Sequence, residues 1–420
     1  MKMGSSMNSR DYIKIMLSPG KYVDGSAMED LKLALSELLN LQAPSDSSDS
    51  NIFIYGNGRS AQYEFLRSLG LDSGANIAIQ GFTCNAVVNP VLWLGLEPRY
   101  VDIDPQTFCL SMEDLQKKTD KNTKVIVLQH TFGYPGPIED ILKFAKDRGI
   151  IVLEDCAHCL GQKYKGKSLG TFGDAAIFSF GIEKMLSSRV GGSLVVNNST
   201  LTLSIADNYK KIRVMNWCNI LMWLLNPIIW RSLRMMGSYQ MVAAEILNKF
   251  RILNMGFDKG ELTGQMPDCY PRKLANALSR VVLSELDDLE ENINHRREIT
   301  RIYTKGFVDC RQIRIYGGAA NGTVETDEPS VACVRFPIVC RSSAKRAELR
   351  KILENAGFYI GDWYDPVVYP DSTDLEAMKY SGGSCPDAES VAARILNLPT
   401  GMNISVEGAK MIAGIIQNFR

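Results

Sequence analysis

Ala175-Ala176-Ile177-Phe178-Ser179-Phe180-Gly181-Ile182-Glu183-Lys184 is an apolar run that ends in a Ser-Phe-Gly turn and a lysine. A short apolar stretch bounded by a glycine turn is the pattern of a buried strand. Upstream, Gly149-Ile150-Ile151-Val152-Leu153-Glu154-Asp155 is a second such run, and it closes on a carboxylate. A strand-end lysine alone is ordinarily solvated. Paired with a strand-end carboxylate it has a different use. The amine can form a Schiff base with an aldehyde, and the carboxylate can keep a pyridine nitrogen protonated so that the ring accepts electrons. These are the two groups that pyridoxal 5'-phosphate (PLP) chemistry requires.

Apolar runs alternate with helical stretches around this pair: Asn51–Tyr55, Asn76–Ile79, Pro98–Val101, Lys124–Leu128, Ile150–Leu153, Ala175–Phe180 and Gly192–Val196. Such alternation predicts an α/β fold with a mostly parallel sheet and its functional groups at the strands' C-terminal ends. A helix is predicted over Met28–Leu41, followed by a polar linker at 43–50, which sets off an N-terminal segment 1–50. The large domain is expected over 51–272. A connector helix from Leu274 to about Lys305 then leads into a small α+β domain, 273–420, with a strand in Val331–Val339 and a helix over Ala344–Ala356.

Composition narrows the function classes. Forty-seven basic and 47 acidic residues cancel, so no global charge argues for nucleic acid. The ten cysteines suggest neither a zinc site nor a disulfide framework, and they read as reduced thiols in a cytoplasm. The first 30 residues lack a continuous apolar stretch, so export is not expected.

Gly56-Asn57-Gly58-Arg59-Ser60-Ala61 follows the first strand and precedes a helical pattern. Backbone N–H groups at such a turn bind phosphate well. A dinucleotide site on the same glycines calls for an acid at the end of the second strand, where the chain has Ile79-Gln80-Gly81-Phe82. Ser179 can donate its hydroxyl to the same phosphate. His158, three residues past Asp155, can lie beside the same ring or be a structural histidine. Cys84, Cys156 and Cys159 are expected to be small apolar residues rather than nucleophiles.

Taken in order, these segments resemble the DegT/StrS family of nucleotide-sugar aminotransferases, a branch of PLP fold type I. The resemblance rests on Glu154-Asp155-Cys156-Ala157-His158, Gly166–Asp174, Phe178-Ser179-Phe180, Lys184 and Gly191-Gly192. Val101–Asp104 and Gln129–Pro135 are also similar to family segments. It implies Lys184 as the Schiff-base lysine and Asp155 as the partner of the pyridinium. His158 would stand near the cofactor's phenolic oxygen, with Ser179 and the turn Gly58-Arg59-Ser60 at its phosphate. It further implies a homodimer that moves an amino group, from L-glutamate by expectation, to a keto-sugar on a nucleotide or lipid carrier. The chain departs from the family at Cys84, where an aromatic usually covers the ring. Phe82 is the expected substitute. The family's Gly-Tyr-Asn-Tyr-Arg segment is replaced by Asp268-Cys269-Tyr270-Pro271-Arg272-Lys273, so Arg272 or Lys273 would have to supply its phosphate contact. A dehydratase on the same scaffold, an NAD-dependent sugar enzyme and a non-catalytic membrane-associated regulator are the alternatives.

Residues 208–244 fall outside the resemblance. Trp217–Trp230 hold three tryptophans and no charge, and Lys210, Lys211, Arg213, Arg231 and Arg234 flank them. Fourteen helical residues, at ~1.5 Å each, fall short of a bilayer core of ~30 Å, and Pro227 is expected to interrupt them. Peripheral membrane contact and a buried dimer interface are both open readings of this segment.

Overall fold

Each of the seven apolar runs forms a strand: β1 (Ile52–Tyr55), β2 (Asn76–Gln80), β3 (Glu97–Val101), β4 (Thr123–Gln129), β5 (Ile151–Asp155), β6 (Ala175–Ser179) and β7 (Gly192–Val196). They make one sheet in the order β1-β7-β6-β5-β4-β2-β3. β5 runs parallel to β4 and β6, and β2 runs parallel to β3 and β4. β7 is the antiparallel member, set between β1 and β6. The structure is a computed structural model that describes residues 9–41, 51–249, 258–307, 310–316 and 331–419. The expected linker at 43–50 lies outside the described residues.

Successive side chains on a strand point to opposite faces, and here most strands are buried on both. Ile52, Ile54, Ala78 and Ile126 enter one core, whereas Phe53, Tyr55, Ile77 and Val125 enter the other. This is why most of the strands are continuous apolar runs rather than alternating ones; β3, at the edge, leaves Glu97 and Arg99 exposed. Each fully buried Ile or Phe contributes about 1.5–3 kcal/mol.

Two N-terminal helices, α1 (Ser9–Met16) and α2 (Ala27–Leu39), belong to the first core, where Leu31, Leu35 and Leu39 line one helical face. α2 stops at Leu39 because Asn40 turns left-handed, which Asn tolerates better than most residues. Helices α3 (Gly58–Ser68) and α4 (Ser199–Lys211) cover the second core.

The segment 208–244 continues into α5 (Trp217–Leu233), a turn at Gly237 and α6 (Gln240–Lys249). α5 runs through Pro227 without the expected break. Apolar packing on either side outweighs the one lost backbone bond. Leu224 lies in the main core before the proline, and Trp230 and Leu233 pack against Ala244 after it.

The single connector helix expected over 274–305 is instead two, α7 (Asn276–Leu286) and α8 (Leu289–Phe307). The break falls at Asp287-Asp288. The Asp288 carbonyl accepts from the Asn292 N–H at 3.1 Å, which starts the second helix at a residue type that favours caps.

The C-terminal region builds an antiparallel sheet from β8 (Ile313–Arg314), β9 (Phe336–Cys340) and β10 (Ile395–Leu398). Helices Ser343–Asn355 and Val406–Gln417 accompany it. The strand expected from Val331 begins only at Phe336 because the preceding N–H groups are taken up elsewhere. Ala332 donates to Gln162 Oε1 at 2.8 Å and Val334 to the Phe132 carbonyl at 3.0 Å. A short parallel pairing of Val368–Tyr369 with Thr83–Cys84 brings a second C-terminal segment to the strand ends of the large sheet.

Candidate active site

Sheet register sets the site. Asp155 ends β5 opposite Gln129 of β4 and Ile177 of β6, two residues before Ser179. The chain leaves β6, turns through Gly181–Glu183 with Glu183 at φ 61, and presents Lys184. Burial lowers the pKa of Lys184, and the like charge of Arg335 adds to the effect, while Cys84, Asp155 and Glu183 oppose it. Burial raises the pKa of Asp155 against a hydrogen bond from the Ala157 N–H at 3.0 Å and the attraction of Lys184.

His158 stands against the lysine. Its Nδ1 accepts from the Phe132 N–H at 3.2 Å, and its Nε2 lies 2.9 Å from Lys184 Nζ and 3.4 Å from the Tyr364 hydroxyl. Burial, then Lys184 and Arg335, hold its pKa well below 6.5. The ring is therefore neutral. With Nδ1 accepting, the proton sits on Nε2 and faces an amine that burial also favours as neutral.

The phosphate turn lies at the same edge of the sheet. Asn57 caps α3 by accepting from the Ser60 N–H at 2.8 Å. A Cβ on Gly58 would stand 3.4 Å from Ser179 Cβ and 3.8 Å from Ser179 Oγ, so the glycine and the serine border one small space. Ser60 Oγ is buried without a hydrogen-bond partner. An orphaned hydroxyl beside a helix N-terminus suits an anion, and these residues fit the phosphate of PLP.

Two other expectations are placed differently. Arg59 forms an ion pair with Glu261 and lies 5.5 Å from the Tyr270 ring, so what it offers at the turn is backbone. Phe82 is fully buried, edge-on to Tyr364 at 5.3 Å and in ring contact with Phe108 and Phe132. Packed among these three rings, it supports the site from behind. Cys84 itself lies within the electrostatic reach of Lys184, Arg59 and Tyr364. Arg272 offers its carbonyl to the Gly56 N–H at 2.9 Å, and Lys273 Nζ lies 4.4 Å from the Tyr209 ring.

The aromatic walls come from residues that the sequence reading missed. Trp363 stacks on His158 at 5.2 Å and 5°, with Lys184 Nζ 4.9 Å from its ring and Arg335 at 3.8 Å. Tyr364 stacks on Phe132 at 6.0 Å, and Arg335 forms an ion pair with Glu183, the neighbour of Lys184. No local signal links positions 335 and 363 to position 184. In space, the pairing of Val368–Tyr369 with Thr83–Cys84 brings the segment after Trp363 to the sheet, and the Glu183 ion pair holds Arg335 there.

Cys156 and Cys159 stand in Cys-x-x-Cys spacing, which the sequence reading passed over. With His130 they are the one cluster of metal-ligand type among the described residues. The imidazole is already committed on both nitrogens. Nδ1 accepts from the Gly136 N–H at 3.1 Å and Nε2 lies 3.1 Å from Glu154 Oε2. Glu154 also accepts from the N–H groups of Gly170, Phe172 and Gly173 at 2.6–3.0 Å. Its role is to hold the 170–173 loop.

The chain is 28% identical over 369 residues to a GDP-perosamine synthase of Escherichia coli O157:H7, covering 86% of this chain and 84% of that one. A stretch of 140 residues, 33% of this chain and 38% of the relative, is 31% identical to a UDP-N-acetyl-3-dehydro-alpha-D-glucosamine 3-aminotransferase of Acidithiobacillus ferrooxidans. Among solved structures, the PLP form of a putative sugar aminotransferase, Spr1654 of Streptococcus pneumoniae, superposes with TM-score 0.73 at 16% identity, covering 98% of this chain and 96% of that one. PseC of Helicobacter pylori superposes with TM-score 0.71 at 18% identity, covering 97% and 94%. The fold is that of PLP-dependent sugar aminotransferases, and PLP is the cofactor. Residues 52–417 match the family description throughout, and the chain belongs to the DegT/DnrJ/EryC1/StrS aminotransferase family.

Proposed function

We propose that this enzyme moves the amino group of L-glutamate to a keto-sugar carried on a nucleotide, for amino-sugar or surface-glycan synthesis. The observation that carries the reading is the Lys184 amine 2.9 Å from His158 Nε2, in the same buried site as the carboxyl of Asp155, where burial lowers the lysine pKa. Lys184 and Asp155 would hold PLP, with Ser179 and the Gly58–Ser60 turn at its phosphate. When bound, PLP supplies an electron sink for a carbanion on the donor.

The chain's own residues then handle protons. Lys184 Nζ removes the proton from the donor's Cα and returns one on the acceptor half of the cycle, which requires an amine that is neutral at working pH. Asp155 keeps a positive nitrogen in place by charge. His158 Nε2–H orients the lysine amine. Trp363 and Tyr364 exclude water from one side, which strengthens each of these interactions. Two further inferences accompany the reading: a homodimer in the cytoplasm, possessing a large domain over 51–272 and a small one over 273–420, and peripheral membrane contact through 208–244.

The test is a panel of GDP- and UDP-linked keto-sugars with PLP and L-glutamate, scored by 2-oxoglutarate release and by mass of the aminated sugar. Amination of at least one nucleotide sugar is expected. Visible absorbance of bound PLP with no amination of any member, while glutamate is still converted, would move the acceptor to another class. Sedimentation velocity checks the dimer.

A further inference from the structure

The helices of 208–249 place apolar side chains where water meets them. The inner face of α6 is covered by the chain itself: Ala243, Ala244 and Leu247 pack with Ile229, Trp230 and Leu233 of α5. Its other face carries Val242 and Ile246, 59% and 52% exposed, with Tyr239 at 71% one turn earlier. That spacing of three and four is one continuous helical stripe. Met235, 88% exposed, and Met236 add exposed apolar side chains in the turn before α6. A helix apolar on both faces is normally enclosed on both. Trp217, stacked on Tyr22, Ile13 of α1, which packs against α5, and Leu17 just after α1 are also exposed.

Charge says what covers this surface. Between Asp207 and Glu245 the chain has Lys210, Lys211, Arg213, Arg231 and Arg234 and no acid, a charge of +5 in a chain of net charge zero. Lys211, Arg213 and Arg231 are exposed. An isologous contact between two copies would set this basic segment against itself. An anionic lipid surface complements it instead, with apolar side chains among the acyl chains and cations at the headgroups. Among the described residues no helix is long and apolar enough to cross a bilayer, so the contact is in the plane of the surface.

We propose that α6 and the turn before it dock the protein on the anionic face of a lipid bilayer. The stripe Tyr239, Val242, Ile246 is inserted, and the flanking cations lie against the headgroups.

The experiment is co-sedimentation of the PLP-loaded enzyme with vesicles of phosphatidylcholine alone or mixed with phosphatidylglycerol, at low and high salt. Three proteins are compared: wild type, the double variant Val242→Glu/Ile246→Glu, and the double variant Lys211→Glu/Arg213→Glu. Wild type is expected to pellet with anionic vesicles about tenfold more than with neutral ones, and less at high salt. Both variants are expected to lose this while keeping the sedimentation coefficient and visible absorbance of wild type. Wild type that stays in the supernatant, or variants that pellet as wild type does, would overturn the proposal. So would loss of the dimer in Val242→Glu/Ile246→Glu, which would make this face a contact between copies. None of these readouts depends on which sugar is aminated.

Discussion

Lys184 is half-buried, and burial makes its amine easier to deprotonate. Lys184→Ala is expected to abolish transamination and the visible absorbance of bound PLP, with the phosphate site still able to hold the cofactor weakly. Retained colour and rate would assign the role to another lysine. Asp155 separates stability from catalysis. Burial raises its folded-state pKa above 3.8, so the fold favours the neutral acid. The associated stability is fully present below that value and is lost as pH rises through the raised pKa, so at neutral pH the ionised carboxylate is a net cost to the protein without cofactor. Asp155→Asn should leave the melting temperature of the cofactor-free protein unchanged or higher, yet slow turnover about a thousandfold, or ~4 kcal/mol in the transition state. A melting point several degrees lower would mark Asp155 as structural instead.

At the scale of elements, the phosphate turn depends on how closely β7 approaches it. A Cβ on Gly192 would stand 2.5 Å from the Gly58 N, 2.7 Å from the Asn57 carbonyl carbon and 2.8 Å from the Phe178 carbonyl oxygen, all of them backbone. None can swing aside as a side chain would. Gly192→Ala should therefore push the Asn57-Gly58 turn off β7, weaken PLP binding at least tenfold in equilibrium dialysis, and cost stability in the range of about 1–3 kcal/mol expected of an overpacked site. Normal PLP affinity in this variant would mean that the turn is not the phosphate site.

Across the whole molecule, the C-terminal region completes the pocket. Arg335 precedes β9, pairs with Glu183 and stacks on Trp363, which in turn stacks on His158. Its charge helps burial lower the pKa of Lys184. Removing that charge disfavours the ammonium less, so the lysine pKa should rise. Arg335→Ala is expected to shift the ascending limb of the pH–rate profile, which follows deprotonation of the lysine, to higher pH. A limb that stays in place or moves to lower pH would dissociate Arg335 from Lys184.

The strands of the large sheet were legible in the sequence because most of them are dry on both faces and read as apolar runs; β3 at the sheet edge, with Glu97 and Arg99 exposed, was legible from its place in the strand–helix alternation. The Asp155, Lys184 and glycine-turn positions were legible for a related reason: groups at the C-terminal ends of parallel strands meet without any loop having to be known. Other features depended on contacts between distant segments. Ala332 and Val334 gave their N–H groups to Gln162 and Phe132, and their segment stayed out of the strand. The connector broke at a pair of aspartates, and α5 ran through its proline on the strength of packing at both ends. Trp363 and Tyr364 lie a few residues before Val368–Tyr369, which pairs with Thr83–Cys84, and Arg335 is held at the site by its ion pair with Glu183. Periodicity and strand-end chemistry are local properties that a sequence carries by itself. The walls of the pocket are set by long-range pairing and packing, and those exist only once the chain has folded.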